Sequence, residues 1–254
     1  GNHYLLAAGL FIIANIGFAI GNIYYNSFLP ALVERDELDR LSAKGFAFGY
    51  VGGGIALLLS FFIIEQYQLL ALPDRGTATR LCFVLTGCWW LGFALPAFRR
   101  IKEELFIHRP QPMQHGFGSY IKTFTRIRHY PHLFRFLLAF LFYNDGIQTI
   151  IAVSALFAST ELGLSQTSVL GCYLMIQFIA MPGSLAFARL AAIIGAKKAI
   201  ICSLGMFVGV TVYAFYIDTA IEFWMLGFVV ALILGGSQAI SRSLFAAMIP
   251  PGES

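Results

Sequence analysis

Apolar residues in this chain gather into seven long runs separated by short polar stretches. A bilayer core of about 30 Å is crossed by roughly 20 mainly apolar residues in a helix, and each run meets that length or comes close to it. The pattern predicts spans at Tyr4 to Tyr25, Gly45 to Ile64, Leu81 to Phe98, Phe134 to Ala158, Ser168 to Phe187, Ala199 to Tyr216 and Glu222 to Ser241. The expected fold class is therefore all-α integral membrane, with seven transmembrane helices. The chain opens on Gly1-Asn2-His3 and runs directly into the first span, and it closes on Pro250-Pro251-Gly252-Glu253-Ser254 just after the last. Both ends read as cut, so an internal piece of a longer polypeptide is expected. An odd number of spans puts the two ends on opposite sides of the membrane.

Composition agrees: of 254 residues, 58% are hydrophobic and 12% are charged, about half the charged share of an ordinary soluble domain. The placement of charge adds orientation, because basic loops stay on the cytoplasmic side. Arg35, Arg40 and Lys44 fall after the first span, and eight basic residues from Arg99 to Arg135 fall between the third and fourth. Arg189, Lys197, Lys198 and Arg242 lie on the same side, leaving only Arg75 and Arg80 of the 17 opposite. Gly1 is then outside and Ser254 inside. Topology accounts for the net charge of +4, so no nucleic-acid partner is called for.

The spans divide into three and four. Residues 1-98 are expected to hold the last three spans of an N-terminal bundle, 99-133 a central cytoplasmic loop, and 134-254 the first four spans of a C-terminal bundle. Within the loop, Tyr120, Ile121, Phe124 and Ile127 at helical spacing among Lys122, Arg126 and Arg128 fit either a short interfacial amphipathic helix or a plain basic loop. Displacing the first span by 216 residues pairs Asn22 with Gln238, Asn26 with Arg242 and Ser27 with Ser243. That is a faint internal repeat of the kind parallel transporter halves carry. In the second span, Gly45, Gly49 and Gly53 recur every four residues. They are read as a helix-packing face, static or rocking. Cys82, Cys88, Cys172 and Cys202 lie in spans without metal-ligand spacing and read as structural thiols. His129-Tyr-Pro-His132 reads as a turn rather than a ligand pair, so neither a metal nor a cofactor is expected.

One acidic residue lies deep. Asp145, in Tyr143-Asn144-Asp145-Gly146-Ile147-Gln148, stands about 18 Å from the cytoplasmic end of its span. An ionised carboxylate there costs at least about 2.5–3.5 kcal/mol. It marks either a solute or ion path or a piece of structural glue. Asn144 and Gln148 extend the patch, and Asn22, Asn26, Gln177, Gln238 and Arg242 add polar groups on other spans. A hydrated pathway for a small polar, zwitterionic solute accounts for amides gathered around one carboxylate. Enzyme chemistry does not fit: one deep Asp cannot serve a two-aspartate protease, no His lies within a span, and no phosphate-binding loop occurs. A retinal protein or receptor lacks its mid-span lysine or its extracellular cysteine pair. The competing class is a non-transporting membrane sensor or scaffold.

Several strings resemble a known family. Ala14-Asn15-Ile16-Gly17-Phe18, Tyr25-Asn26-Ser27-Phe28-Leu29-Pro30, the glycine run from Gly45 to Gly54, Trp89-Trp90, Tyr143-Asn144-Asp145-Gly146-Ile147-Gln148 and Gly235-Gly236-Ser237-Gln238-Ala239-Ile240-Ser241-Arg242 look, in order, like the vacuole effluxer family of the major facilitator superfamily, related to autophagy-related protein 22. The resemblance implies spans four to ten of twelve, alternating access between two bundles, and amino-acid export in fungal relatives. It implies a solute partner with a coupling proton or sodium ion, or uniport. The membrane would be the plasma membrane in a bacterium and the vacuolar membrane in a fungus. One departure stands out: the family-fold loop Gly-x-Leu-Ala-Asp-Arg-x-Gly-x-Lys/Arg reads here Ala188-Arg189-Leu190-Ala191-Ala192-Ile193-Ile194-Gly195-Ala196-Lys197, so its Asp is Ala192.

Overall fold

The computed structural model describes residues 4–100 and 127–249 of the chain. Helices α1 (Tyr4–Ser27), a short α2 (Leu29–Leu32), α3 (Leu38–Glu65), α4 (Arg75–Arg100), α5 (Pro131–Thr160), α6 (Gln166–Ile194), α7 (Ala196–Ala214) and α8 (Ala220–Met248) make up almost all of it, with a 3₁₀ turn at Arg35–Glu37 before α3. Seven of them are long and apolar enough to cross a membrane, as expected. All but the last two residues of the interfacial segment expected near 119–128, and most of the connector, fall outside the described residues.

The helices outrun the apolar windows at several ends, because hydropathy registers composition whereas a helix end is set by who satisfies its free N–H groups. Helix α4 starts at Arg75 because Asp74 accepts the Thr77 N–H at 2.8 Å and the Thr77 hydroxyl at 3.1 Å. Ser165 accepts from the Ser168 N–H and opens α6. Thr219 and Glu222 form a reciprocal capping box that opens α8, and Pro131 occupies the first turn of α5, where its missing N–H is harmless. Between α6 and α7 the long break expected around 188–198 is a single residue, Gly195, at φ +90°. A side chain is strained there, which is why glycine joins the two helices.

The centre of the structure is α3, α6 and α8. Helix α6 lies along α8 at very short range: a Cβ on Gly183 would stand 2.6 Å from the Leu232 carbonyl oxygen, and one on Gly236 would strike Phe187. Phe187, Ile233 and Leu234 form the buried core there with Ile147 of α5 and Phe207 of α7. Helix α3 packs on both α6 and α8 more extensively than on its own neighbour α4. The three helices of the expected N-terminal group therefore meet the rest of the chain chiefly through α3. Helix α1 buries none of its residues. It reaches other elements through α2, through Phe18 against Trp90 of α4 and through its polar end at Tyr25 and Asn26. A mainly apolar, uncovered helix is what lipid or further helices demand of a surface.

Candidate functional site

Polar side chains of α6 and α8 line up along α3. At its Leu38 end, Ser42 is fully buried and its hydroxyl donates to the Ala239 carbonyl at 2.6 Å. The same hydroxyl accepts from Arg242 Nε at 2.9 Å. Arg242 donates further to the Ser42 carbonyl at 3.0 Å and to Asn26 Oδ1 of α1 at 3.3 Å. Its guanidinium carbon sits 5.3 Å from the Tyr25 ring centroid and 4.7 Å from that of Phe46, distances at which a ring face attracts a cation. Gly45 makes the room: a Cβ there would lie 3.1 Å from the Tyr25 hydroxyl and 3.2 Å from Arg242 Nη2. One residue further along α8, the Ser243 hydroxyl donates to the Asp39 carboxylate. Arg35 donates to the Ile249 carbonyl at 3.1 Å.

Higher along α3 the contacts thin out. The Tyr50 hydroxyl lies 3.5 Å from Gln238 Oε1, and the Gln177 amide nitrogen is 2.7 Å from where a Cβ on Gly53 would be. At the Glu65 end polar ties return. Glu65 accepts from the Thr167 hydroxyl of α6 at 2.8 Å and pairs with Arg75 at 3.3 Å. Helix α3 is thus fastened to α8 at one end and to α6 at the other, across a glycine-lined middle.

Of the residues singled out from sequence, Asn26, Gln177, Gln238 and Arg242 meet or approach this seam, while Asn22 is half-buried on α1. Gly45 and Gly53 face neighbours across it. Gly49 is exposed, and a Cβ there would meet nothing within 4 Å. Asp145, Asn144 and Gln148 lie elsewhere, midway along α5. Tyr143 and Ile147, one turn apart, hold that helix to the core: Tyr143 donates to Ser241 of α8 at 2.7 Å, and Ile147 is buried. Asp145 lies on the opposite side with Gln148 and Thr149, all exposed, and Asn144 is half-buried between the two faces. No hydrogen bond among the described residues joins this patch to Arg242.

Sequence reasoning did not single out Asp39, Ser42, Phe46 or the Glu65–Thr167 tie, and it met Ser243 only as the counterpart of Ser27 and Tyr25 only within a family string. Asp39 and Ser42 fall in what hydropathy reads as a loop. Their three-residue spacing, continued by Gly45, was the available sign of a helix face.

A cavity of about 520 Å³ opens among α3, α5, α6, α7 and α8, lined by Leu57, Ile151, Tyr173, Val210, Leu226 and others. It is apolar. Its Ser154 and Tyr173 hydroxyls bond each other at 2.8 Å, which leaves the Gln177 amide as the polar group at its edge.

The family model described as vacuole effluxer Atg22 like matches residues 1–254. The uncharacterized MFS-type transporter YxiO of Bacillus subtilis is 34% identical over 250 residues, 98% of this chain and 58% of that protein. Autophagy-related protein 22 of Saccharomyces cerevisiae is 25% identical over 299 residues, covering 97% of this chain and 56% of its own length. Autophagy-related protein 22-1 of Neosartorya fischeri is 26% identical over 247 residues, 84% of this chain and 39% of that protein. The chain spans about half the length of the curated relatives it matches. No solved structure matches it.

Proposed function

Since this chain belongs to the Atg22-like vacuole effluxer family, we propose that it supplies the central spans of a secondary transporter of the major facilitator type, moving a small polar solute, an amino acid by kinship, through alternating access. The observation that carries the reading is the open polar face of α5. Asp145 stands midway along a 30-residue apolar helix, exposed beside Gln148 and Thr149. Lipid against an ionised carboxylate at that depth costs several kcal/mol, so the face belongs against a water-filled path or a helix outside this chain. Asp145, Asn144 and Gln148 line that path, while Asn26, Gln177, Gln238 and Arg242, with Asn22 nearby on α1, supply polar groups along the α3 seam, on the side of α5 away from Asp145. The membrane is the plasma membrane in a bacterium and the vacuolar membrane in a fungus.

The ties of α3 supply the moving part. Residues 1-98 and 134-254 act as members of two bundles joined by 99-133, with α3 as the element of the first that grips the second. With both ends of α3 fastened, the path is shut on both sides. Release of the Ser42–Arg242–Asp39 end opens it toward the side that the basic residues mark as cytoplasmic, and release of Glu65 from Thr167 opens it toward the other. Glycine at positions 45 and 53 lets the seam slide without bulky side chains having to unlock.

The test is solute flux in proteoliposomes containing the full-length protein and its Asp145→Asn variant, across an amino-acid panel. Flux in the wild type and loss of flux in the variant are expected. Wild-type flux in the variant removes Asp145 from the path, and no flux in either protein across the panel removes amino-acid transport.

A further inference from the structure

Arg242 is a cation held entirely by neutral groups. Its three hydrogen bonds go to the Ser42 hydroxyl, the Ser42 carbonyl and the Asn26 amide oxygen, and its two stacking partners are Tyr25 and Phe46. No carboxylate among the described residues stands within ion-pair distance of it. Among the described residues the one such pair is Arg75 with Glu65, at the far end of α3. Asp39, the acidic residue built into the same cluster, is engaged by the Ser243 hydroxyl instead. Arg242 stands near the cytoplasmic end of α8, half-buried and bonded to neutral acceptors, over which a carboxylate is the stronger partner for a guanidinium.

The geometry points to that partner: we infer that Arg242 recognises a carboxylate on the transported solute, which on binding displaces Asn26 and Ser42 from the guanidinium. This rests on the transport reading above and deepens it by assigning the residue that selects the solute. A guanidinium offers five N–H donors in a planar fork, of which the three hydrogen bonds engage three. A carboxylate can take two of them in parallel, a charge-assisted pairing stronger than bonds to neutral acceptors. The contact to Asn26, at 3.3 Å, is the longest of the three and the first to be exchanged. Tyr25 and Phe46 stack on the guanidinium and leave hydrogen bonding to its edge, which is the requirement for bidentate recognition.

The exchange has a mechanical consequence. The acceptors that give way belong to α1 and α3, whereas Arg242 belongs to α8. Binding a carboxylate therefore removes bonds that hold α8 against α1 and α3, so occupancy and loosening of that end of the seam are linked by one side chain. A ligand shifts such an equilibrium only through contacts that differ between its two states, and here the differing contacts are the displaced ones.

The experiment measures thermal unfolding of the purified full-length protein against L-amino acids, the corresponding α-carboxamides, and the amines that lack the carboxyl group. The amino acids are expected to raise the melting temperature and the other two classes are not. Arg242→Gln is expected to weaken the response to amino acids about tenfold or more, the scale of a charge-assisted contact, and Arg242→Lys is expected to retain part of it. Asn26→Ala provides the variant that a merely structural role for Arg242 would not explain: removing a competing acceptor should tighten carboxylate binding several-fold. Carboxamides or amines that stabilise the wild type as well as the acids do overturn the inference while leaving solute binding intact. So does an Arg242→Gln protein with the wild-type response, or an Asn26→Ala protein that binds more weakly. A wild type that responds to none of the three classes overturns amino-acid transport and this inference together. If Arg242→Gln does not fold, Asn26→Ala and the carboxamide series decide the matter.

Discussion

Replacing Gly183 by alanine tests a contact between the backbones of α6 and α8 that leaves no room for a Cβ. The new Cβ would lie 2.6 Å from the Leu232 carbonyl oxygen, 2.9 Å from its Cα and 3.0 Å from its carbonyl carbon. These are backbone atoms, so no side-chain rotation relieves them. Restoring ordinary contact at about 3.4 Å requires the two helices to part by about 0.8 Å locally, against a neighbouring core that is already close-packed. Overpacking of that kind costs about 1–3 kcal/mol. Alanine also gains up to about 1 kcal/mol over glycine in a helix interior, which would mask part of the loss. Gly49→Ala supplies the correction: it carries the same propensity gain, and its Cβ meets nothing within 4 Å. The difference between the two variants isolates the packing cost, and it should amount to a fall in melting temperature on the order of 5 °C. The assay is detergent-solubilised thermal unfolding of both single variants of the full-length protein at one scan rate. A Gly183→Ala protein that melts at or above Gly49→Ala would refute the close approach of α6 and α8.

Three further outcomes follow from the ties of α3 and α4. Ser42→Ala removes the hydroxyl that links Arg242 to Ala239; the loss of about 1–3 kcal/mol should raise maleimide labelling of an Ala246→Cys reporter, buried beside Leu29 and Leu38, in a background lacking the native cysteines. Unchanged labelling would remove Ser42 from the closure. Glu65→Gln keeps an acceptor for Thr167 and loses only a pairing with the 58%-exposed Arg75, so it should change stability by about 0.5 kcal/mol or less; Glu65→Ala, which loses both, should melt lower than Glu65→Gln. Asp74 has its carboxyl held below the ordinary value first by the Thr77 N–H and then by the Thr77 hydroxyl. A depressed carboxyl stabilises above its unfolded-state value and loses that contribution as pH falls through the folded one. Protection of the Thr77 amide from hydrogen exchange, corrected for intrinsic rates, should therefore drop only in acid, and Asp74→Asn should abolish that pH dependence.

What could be read from the chain alone was what composition controls. Seven apolar runs gave seven spans, because a helix that must satisfy every lipid-facing side chain has no other pattern open to it. Helix ends were less legible. Asp39, Arg40 and Ser42 belong to α3, yet they lower local hydropathy, and their helical state depends on partners about 200 residues away that no window contains. Glycine spacing failed in the same manner. The repeat at 45, 49 and 53 marks a stripe on α3 but cannot say what covers it, whereas the closest approaches in the fold occur at Gly183 and Gly236, where no regular spacing announced them.

The faint repeat pairs two residues that the structure brings into contact. Its 216-residue displacement pairs Asn26 with Arg242, and these two residues are hydrogen-bonded to each other. Two positions equivalent under a two-fold operation can touch only if the axis passes near them, so their contact locates the axis of any pseudo-symmetry at the meeting of α1 and α8. A residue on such an axis faces its own counterpart. Rocking that opens a path alternately to the two sides turns about an axis in the membrane plane, not about the normal that relates parallel halves, so a contact at one end of the seam is made in one arrangement and released in the other. An amide and a guanidinium at that point, rather than two apolar side chains, leave the contact open to competition by a charged ligand. Under the proposed transport reading, a solute that displaces Asn26 from Arg242 breaks a contact between residues 1-98 and 134-254.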